Sequence, residues 1–251
     1  EKTTWAFPLC VLCVSVVRFP FPMNYNAVLF DAAETLFTTR GSVGAIYSGV
    51  AQKFGTTASP SAIQEAFRRH FPHSGPLSSD TEKAWWKDVV HRVFSDVGMI
   101  EDFDLFFDEV YDLFRDSRGW MLFPETRQVL EELRHNQLKL GVISNFDSRL
   151  YSVLEDLHIR SFFDTVTICS ETGTAKPQPE IFHAAIHSLG VGPGRILFTG
   201  DSLLDDFQAG QNVGLAAFLL DRSGRYSAMK SVRRLTSLRE LIPLAGISSN
   251  S

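Results

Sequence analysis

Cysteine is scarce in this chain, with three in 251 residues. Cys10 and Cys13 sit close together and Cys169 stands alone, which excludes a disulfide framework and makes a reducing, cytoplasmic setting the expectation. The Cys10/Cys13 spacing has no second pair and no histidine cluster beside it, so it reads as packed thiols rather than a zinc or redox site. Positive charge is also in short supply. A formal net charge of −5 argues against a nucleic-acid partner, because phosphate contacts need a basic face. Near the N-terminus, "WAFPLCVLCVSVV" (Trp5–Val17) is apolar, but its 13 residues fall short of a membrane span, which needs roughly 20. No membrane partner is expected. The basic start and small-residue cleavage site of a signal peptide are missing too. With Met23 just ahead of the first patterned strand, residues 1–23 are expected to be an extension outside the fold. The seven histidines are scattered, and His70 and His73 have no partner at metal-ligand spacing. Internal repeats and low-complexity tracts are absent.

What remains is the composition of a soluble enzyme, 44% hydrophobic and 21% charged. The length suits one large domain or one domain carrying an insertion. Short apolar runs, Ala27–Phe30, Leu138–Ser144, Phe162–Cys169, Arg195–Gly200 and Leu215–Leu220, read as strands. In the second half they alternate with helical patterns over Glu125–Asn136, Arg149–Leu157, Glu180–Leu189 and Leu204–Val213. Strand and helix in alternation predict right-handed crossovers and a parallel sheet covered on both faces, an α/β three-layer, Rossmann-like core. This core is expected over 24–40 and 120–251.

Between the first and second sheet strands the pattern changes. Val43–Phe54, Ser61–His70, Thr81–Val97 and Asp104–Arg115 are helical, with no convincing strand among them. The segment 41–119 therefore reads as an inserted helical, lid-like subdomain. Its aromatics (Trp85, Trp86, Phe103, Phe106, Phe107) are expected to fill a bundle core. Gly41 and Gly119 lie near the two crossings, where glycines suit a hinge.

In a parallel sheet, ligands gather beyond the carboxyl ends of the strands. Asp31 and Thr35 follow the first strand; Ser144 and Asn145 end the next; Lys176 follows the third in "SETGTAKPQPEIF"; Asp201, Asp205 and Asp206 follow the fourth in "GDSLLDD". A carboxylate nucleophile, hydroxyls, a lysine and an acidic cluster on one rim suit phosphoryl chemistry. Asp31 can attack phosphorus and share Mg²⁺ with Asp201. Thr35, Ser144 and Asn145 are candidates for the phosphoryl oxygens. Lys176 offsets the charge between Asp31 and the phosphate. Arg149 is read as orienting the Asn145 loop or pairing with Asp147.

The ordered segments "FDAAETL", "VISN", "KPQPEIF" and "GDSLLDD" resemble the four motifs of the haloacid dehalogenase-like hydrolase superfamily, over about residues 25–225. The helical insertion resembles that family's C1-type cap. The resemblance implies that Asp31 is nucleophile and metal ligand, Ser144 the phosphate binder and Lys176 the charge-balancing lysine. Asp201 and either Asp205 or Asp206 would serve Mg²⁺, with the backbone carbonyl of Ala33 completing the set. The substrate would be a small phosphorylated metabolite.

The chain departs from the family pattern at Ala33, where the phosphatases carry a second Asp as general acid and base, and at Glu34, where they carry Gly. A methyl group transfers no protons, and general acid–base catalysis is worth about 10²–10⁴-fold. Three readings follow. The first is a phosphatase for good leaving groups such as aryl or acyl phosphates, with Glu34 offering a carboxyl one residue later. The second is another family reaction: dehalogenation, or phosphonoacetaldehyde hydrolysis with Lys53, Lys83 or Lys87 as a Schiff-base lysine. The third is a scaffold that binds phospholigands or proteins.

Overall fold

A computed structural model of the chain describes residues 25–72 and 75–247; the expected N-terminal extension, with Cys10, Cys13 and Met23, lies outside the described residues, as does His73. Its centre is β1 (Ala27–Phe30), all four residues of which are buried. Val28 and Phe30 face one apolar cluster and Ala27 and Leu29 the other, as a strand covered on both faces requires.

After β1 come β2 (Phe37–Thr39) and then four helices, α1 (Val43–Ala51), α2 (Pro60–His70), α3 (Glu82–Val97) and α4 (Phe103–Leu113). The chain returns through β3 (Trp120–Leu122), which pairs antiparallel with β2. From there the elements alternate: α5 (Thr126–His135), β4 (Lys139–Ser144), α6 (Arg149–Asp156), β5 (Thr165–Ile168), the short α7 (Cys169–Thr172), α8 (Pro179–Leu189), β6 (Ile196–Gly200). A π-helical stretch, Leu203–Gln208, leads into α9 (Ala209–Asn212), followed by β7 (Ala216–Leu220), β8 (Arg234–Leu235) and α10 (Leu241–Leu244).

The main sheet has six strands in the order β5-β4-β1-β6-β7-β8, every neighbouring pair parallel. Helices α5 and α6 pack on one face through Leu130, Leu133, Val153 and Leu154, and α8 covers the other through Ile181, Phe182 and Ala185. This is an α/β three-layer, Rossmann-like fold. Phe30 is in register with both Val142 of β4 and Thr199 of β6, so Asp31, Ser144 and Asp201 emerge side by side at the carboxyl edge.

Local signals explain the helix ends. Ser42 and Ser59 cap α1 and α2, accepting from the N–H groups of Ala45 and Ala62. Pro60 and Pro179 occupy first-turn positions, where a missing N–H costs nothing. Among α1–α4 the interior is aromatic: the Tyr47 and Phe67 rings are 4.5 Å apart and those of Phe94 and Phe106 are 4.8 Å apart. Phe106 and Phe107 are buried there as expected, whereas Trp86 faces the sheet side of the block.

Three features differ from expectation. The β2/β3 ladder was not anticipated, because three residues per strand are too few to show alternation. The third strand is shorter than the 162–169 run, since Arg160–Phe162 forms a single 3₁₀ turn. The helix over Leu204–Val213 is instead a π-helical turn continued by α9, with Leu204 at 61% exposure.

Candidate active site

Lys176 is the hub of the strand-tip cluster. It is 3% exposed, and its Nζ donates to Asp31 Oδ1 and Asp206 Oδ1, each at 2.6 Å. Burial disfavours its charged form, but the neighbouring Asp206 and Asp31 carboxylates outweigh that and raise its pKa above the ordinary lysine value. The backbone on either side is clamped. Asn145 donates from Nδ2 to the Lys176 carbonyl at 2.9 Å and accepts the Lys176 N–H at Oδ1 at 2.7 Å.

Asp31 is held from three directions. Its N–H donates to Thr199 O at 2.9 Å, its Oδ1 accepts from Lys176, and its Oδ2 accepts from Thr35 Oγ1 at 3.1 Å. Asp206 is 1% exposed and accepts the Ser202 N–H at Oδ2, 2.9 Å away. Gly200 makes that placement possible. A Cβ on residue 200 would lie 2.3 Å from Asp206 Cγ, so only glycine lets the carboxylate fold back over the strand end.

Asp31, Asp201 and Asp206 each present an oxygen within 4.8 Å of the other two. Asp201 is open to solvent at the mouth of the cavity, yet crowding by surrounding protein and by the charges of Asp31 and Asp206, opposed by Lys176, raises its carboxyl above the usual range. Burial does the same to Asp206, with Lys176 opposing and Asp31 reinforcing the rise. Three carboxylates against one lysine leave two negative charges without a partner. An all-oxygen donor set with that surplus fits a hard divalent cation.

These groups surround a cavity of about 220 Å³ lined also by Ala33, Ser144, Phe146 and Phe71. The placement bears on three expectations. Thr35 is fully buried and its hydroxyl orients Asp31, so it does not reach the cavity to bind phosphate. The Asn145 side chain is committed at both ends to the Lys176 backbone and positions that loop, while the residue still lines the cavity. Asp205 lines the cavity but is bound up with Ser202, whose hydroxyl donates to its carboxylate and accepts its backbone N–H, while Asp206 completes the acidic triplet. Neighbouring positions in a π-helical turn point in different directions, and sequence alone left that choice open.

Glu34 does not fill the empty position. It adopts φ +59°, a left-handed conformation that glycine takes without strain, and accepts from Thr38 Oγ1 at 2.8 Å. It lines a separate polar cavity with Asp201, Asp221 and Arg222. Lys53, Lys83 and Lys87 lie in exposed ion pairs with Glu109, Asp108 and Asp104, and none lines the Asp31 cavity, which removes the candidates for a Schiff base.

The helical block meets this site at the loop after Ser144. Asp147 is fully buried and pairs with Arg149, whose Nη2 is 2.6 Å away, so the expected local ion pair forms. Trp86 of α3 donates its Nε1–H to the same carboxylate, and the Arg149 guanidinium lies 4.0 Å from the Tyr111 ring centroid. Glu82 accepts the Ser148 N–H at 2.9 Å. No sequence signal links residues 61 positions apart, so this junction was not foreseen. Beside it lies a second cavity of about 160 Å³, lined mainly by aromatic rings, with Val43, Asn145 and Arg149 completing the wall. It shares Phe71, Asn145 and Phe146 with the first cavity.

A family model described as haloacid dehalogenase-like hydrolase matches residues 25–214. The chain is 33% identical over 236 residues to haloacid dehalogenase-like hydrolase domain-containing protein 3 of Mus musculus, covering 88% of this chain and 94% of that protein. Among solved structures, a HAD phosphatase from Thermococcus onnurineus aligns with a TM-score of 0.64 at 24% identity, over 88% of this chain and 98% of that one. L-2-haloacid dehalogenase from Xanthobacter autotrophicus, with chloropropionic acid covalently bound, aligns at 0.68 and 17% identity, over 88% and 98% of the respective chains. At those identities the two structures share the fold.

Proposed function

Because the chain belongs to the haloacid dehalogenase-like hydrolase family, we propose that it is a Mg²⁺-dependent phosphohydrolase acting on a small phosphorylated metabolite, with Asp31 as nucleophile. The observation that carries this reading is the Asp31–Lys176–Asp206 network, with Asp201 beside it, at the floor of one cavity. Displacement of halide needs one carboxylate and no cation, and it leaves the acidic triplet without a task.

In this reading the phosphoryl group sits between Ser144 and Lys176. Thr35 and Lys176 fix the Asp31 carboxylate so that one oxygen faces phosphorus. Asp31 attacks, the phosphorus–oxygen bond to the leaving group breaks, and the departing oxygen carries away the electron pair. Water then attacks the same phosphorus, releasing phosphate and restoring Asp31. Mg²⁺, held by Asp31, Asp201, Asp206 and the Ala33 carbonyl, would neutralise charge on the phosphoryl oxygens. Ala33 supplies no proton in either step, so the enzyme suits leaving groups that depart unprotonated. Helices α1–α4 act as the cap that covers the site and selects substrate.

The test is phosphate release from acetyl phosphate and phenyl phosphate, with Mg²⁺ and with chelator, beside Asp31→Asn. Wild type is expected to turn over in a Mg²⁺-dependent manner, and the variant to lose at least about 10⁴-fold. Turnover that survives in Asp31→Asn removes the nucleophile from the scheme.

A further inference from the structure

Beyond hydrolysis itself, we propose that the second cavity is a leaving-group pocket for a single aromatic ring, making the substrate class monocyclic aryl phosphates. The proposal rests on the phosphohydrolase reading for the chemistry, but the pocket stands on its own geometry.

Its position comes first. The aromatic cavity shares Phe71, Asn145 and Phe146 with the cavity that holds Asp31, so a group bonded to a phosphoryl oxygen at Asp31 can extend directly into it. Phe71 sits at that shared wall with 49% of its surface exposed, its ring 5.7 Å from that of Trp86 and edge-on to that of Trp85. Size and lining come next. An apolar cavity of about 150 Å³ accommodates benzene, and this one holds about 160 Å³. Phe67, Trp86 and Trp120 line it, aromatic walls of the kind against which a planar guest packs.

The walls are also stiff. Trp86 is tied to Asp147, and the Arg149 guanidinium is fixed between the Tyr111 and Trp86 rings, 5.0 Å from the latter. Because Asp147 neutralises Arg149, the pocket offers no free charge to a polar or anionic leaving group. The walls therefore keep the space open instead of collapsing into it, as ordinary packing would favour.

Ala33 independently points the same way. A phenolate is a far better leaving group than an alkoxide, so it departs without the acid that Ala33 cannot provide. In the step, Asp31 forms the new bond to phosphorus while the bond from phosphorus to the aryl oxygen breaks. The aryloxide keeps the electron pair and takes its proton from water. An acyl phosphate would satisfy the missing acid but leave the aromatic cavity without a role.

Binding separates the pocket from the chemistry. Phenylphosphonate and methylphosphonate, neither of which can be hydrolysed at the carbon–phosphorus bond by this route, are titrated against the full chain with Mg²⁺. The expected result is at least about tenfold tighter binding of phenylphosphonate, with a change in tryptophan fluorescence that methylphosphonate does not cause. In Val43→Trp, which fills the cavity from its α1 wall, the preference is expected to vanish while methylphosphonate affinity stays. Should that variant not fold, the wild-type fluorescence contrast carries the test. Equal affinities in the wild type, a preference that survives the filled cavity, or no affinity for either phosphonate overturns the proposal. A phenyl preference without hydrolysis of any phosphate ester upholds the pocket and overturns the phosphohydrolase reading.

Discussion

The carboxyl edge of the sheet and the helical block above it solve opposite problems. At the sheet edge, Asp31, Lys176 and Asp206 are buried charges, each engaged by at least two hydrogen bonds. In the block, apart from Glu82 at the junction with the Asp147 loop, charges stay outside in exposed pairs such as Lys83–Asp108 and Lys87–Asp104, and the interior is given to aromatic rings. Burying unmatched charge is expensive, and on the proposed reading the sheet edge accepts it for reactivity rather than stability. An interior of rings supplies shape. The two regions therefore divide the work, and changes on either side are expected to fail in different ways.

The largest effect is expected at the sheet edge. Ala33→Asp restores a carboxyl at the cavity wall and is expected to raise alkyl phosphate hydrolysis about 100-fold or more, with little change for phenyl phosphate. Steady-state rates on the two substrates decide it. Parallel gains on both would mean that proton transfer does not set the preference.

The acidic triplet predicts a pH signature that the block has no means to produce. Burial and neighbouring carboxylates push Asp206 up to about 6 and Asp201 up to about 8, whereas the unfolded chain loses those protons near about pH 4. Across that window the folded protein binds more protons than the unfolded chain, so these groups lower the stability of the metal-free protein as pH rises. Mg²⁺ should reverse this. Its upward shift of Tm is expected to be larger at pH 8 than at pH 5, and an equal shift at both would contradict the crowding argument.

On the block side the effects are those of contacts. Trp86→Phe keeps the ring but removes the N–H donor to buried Asp147, at an expected cost of about 2 kcal/mol in urea unfolding. Turnover of acetyl phosphate, which does not reach the aromatic cavity, should persist. The smallest effect belongs to Glu34→Gly. Relieving φ +59° gains about 1 kcal/mol, partly offset by the freer unfolded chain and by the lost Thr38 contact. A net gain of roughly 0.5 kcal/mol with unchanged kcat is expected.

Much of the sheet was legible because burial on both faces writes near-continuous apolar runs, and the residues just beyond them are where chemistry collects. Asp31, Lys176, Asp201 and Asp206 were found by that logic, and they do meet. What escaped were decisions made by long-range geometry. The Asn145 amide spans 31 residues to clamp Lys176, a pairing that no local pattern encodes. Asp205 and Asp206 are chemically identical neighbours, separated only by the direction in which the turn points them. Thr35 looked like a phosphate ligand by proximity in sequence and became a support for Asp31 once β1 ended. Trp86 was read with the other aromatics of the insertion as bundle core, and its different task emerged only when α3 docked against the Asp147 loop.

The short β2/β3 ladder has a consequence for how this molecule can change. Arg40 N–H donates to Gly119 O at 2.9 Å, so the chain leaves toward the helices and comes back at almost the same point. Seen from the sheet, everything between is one long loop whose two ends are already pinned together. Doubling such a loop adds only about 0.6 kcal/mol of closure entropy. Helices can thus be enlarged, trimmed or traded at that doorway while the strand order and its charged tips stay in register, which, on the proposed reading, lets selectivity drift on a different clock from reactivity.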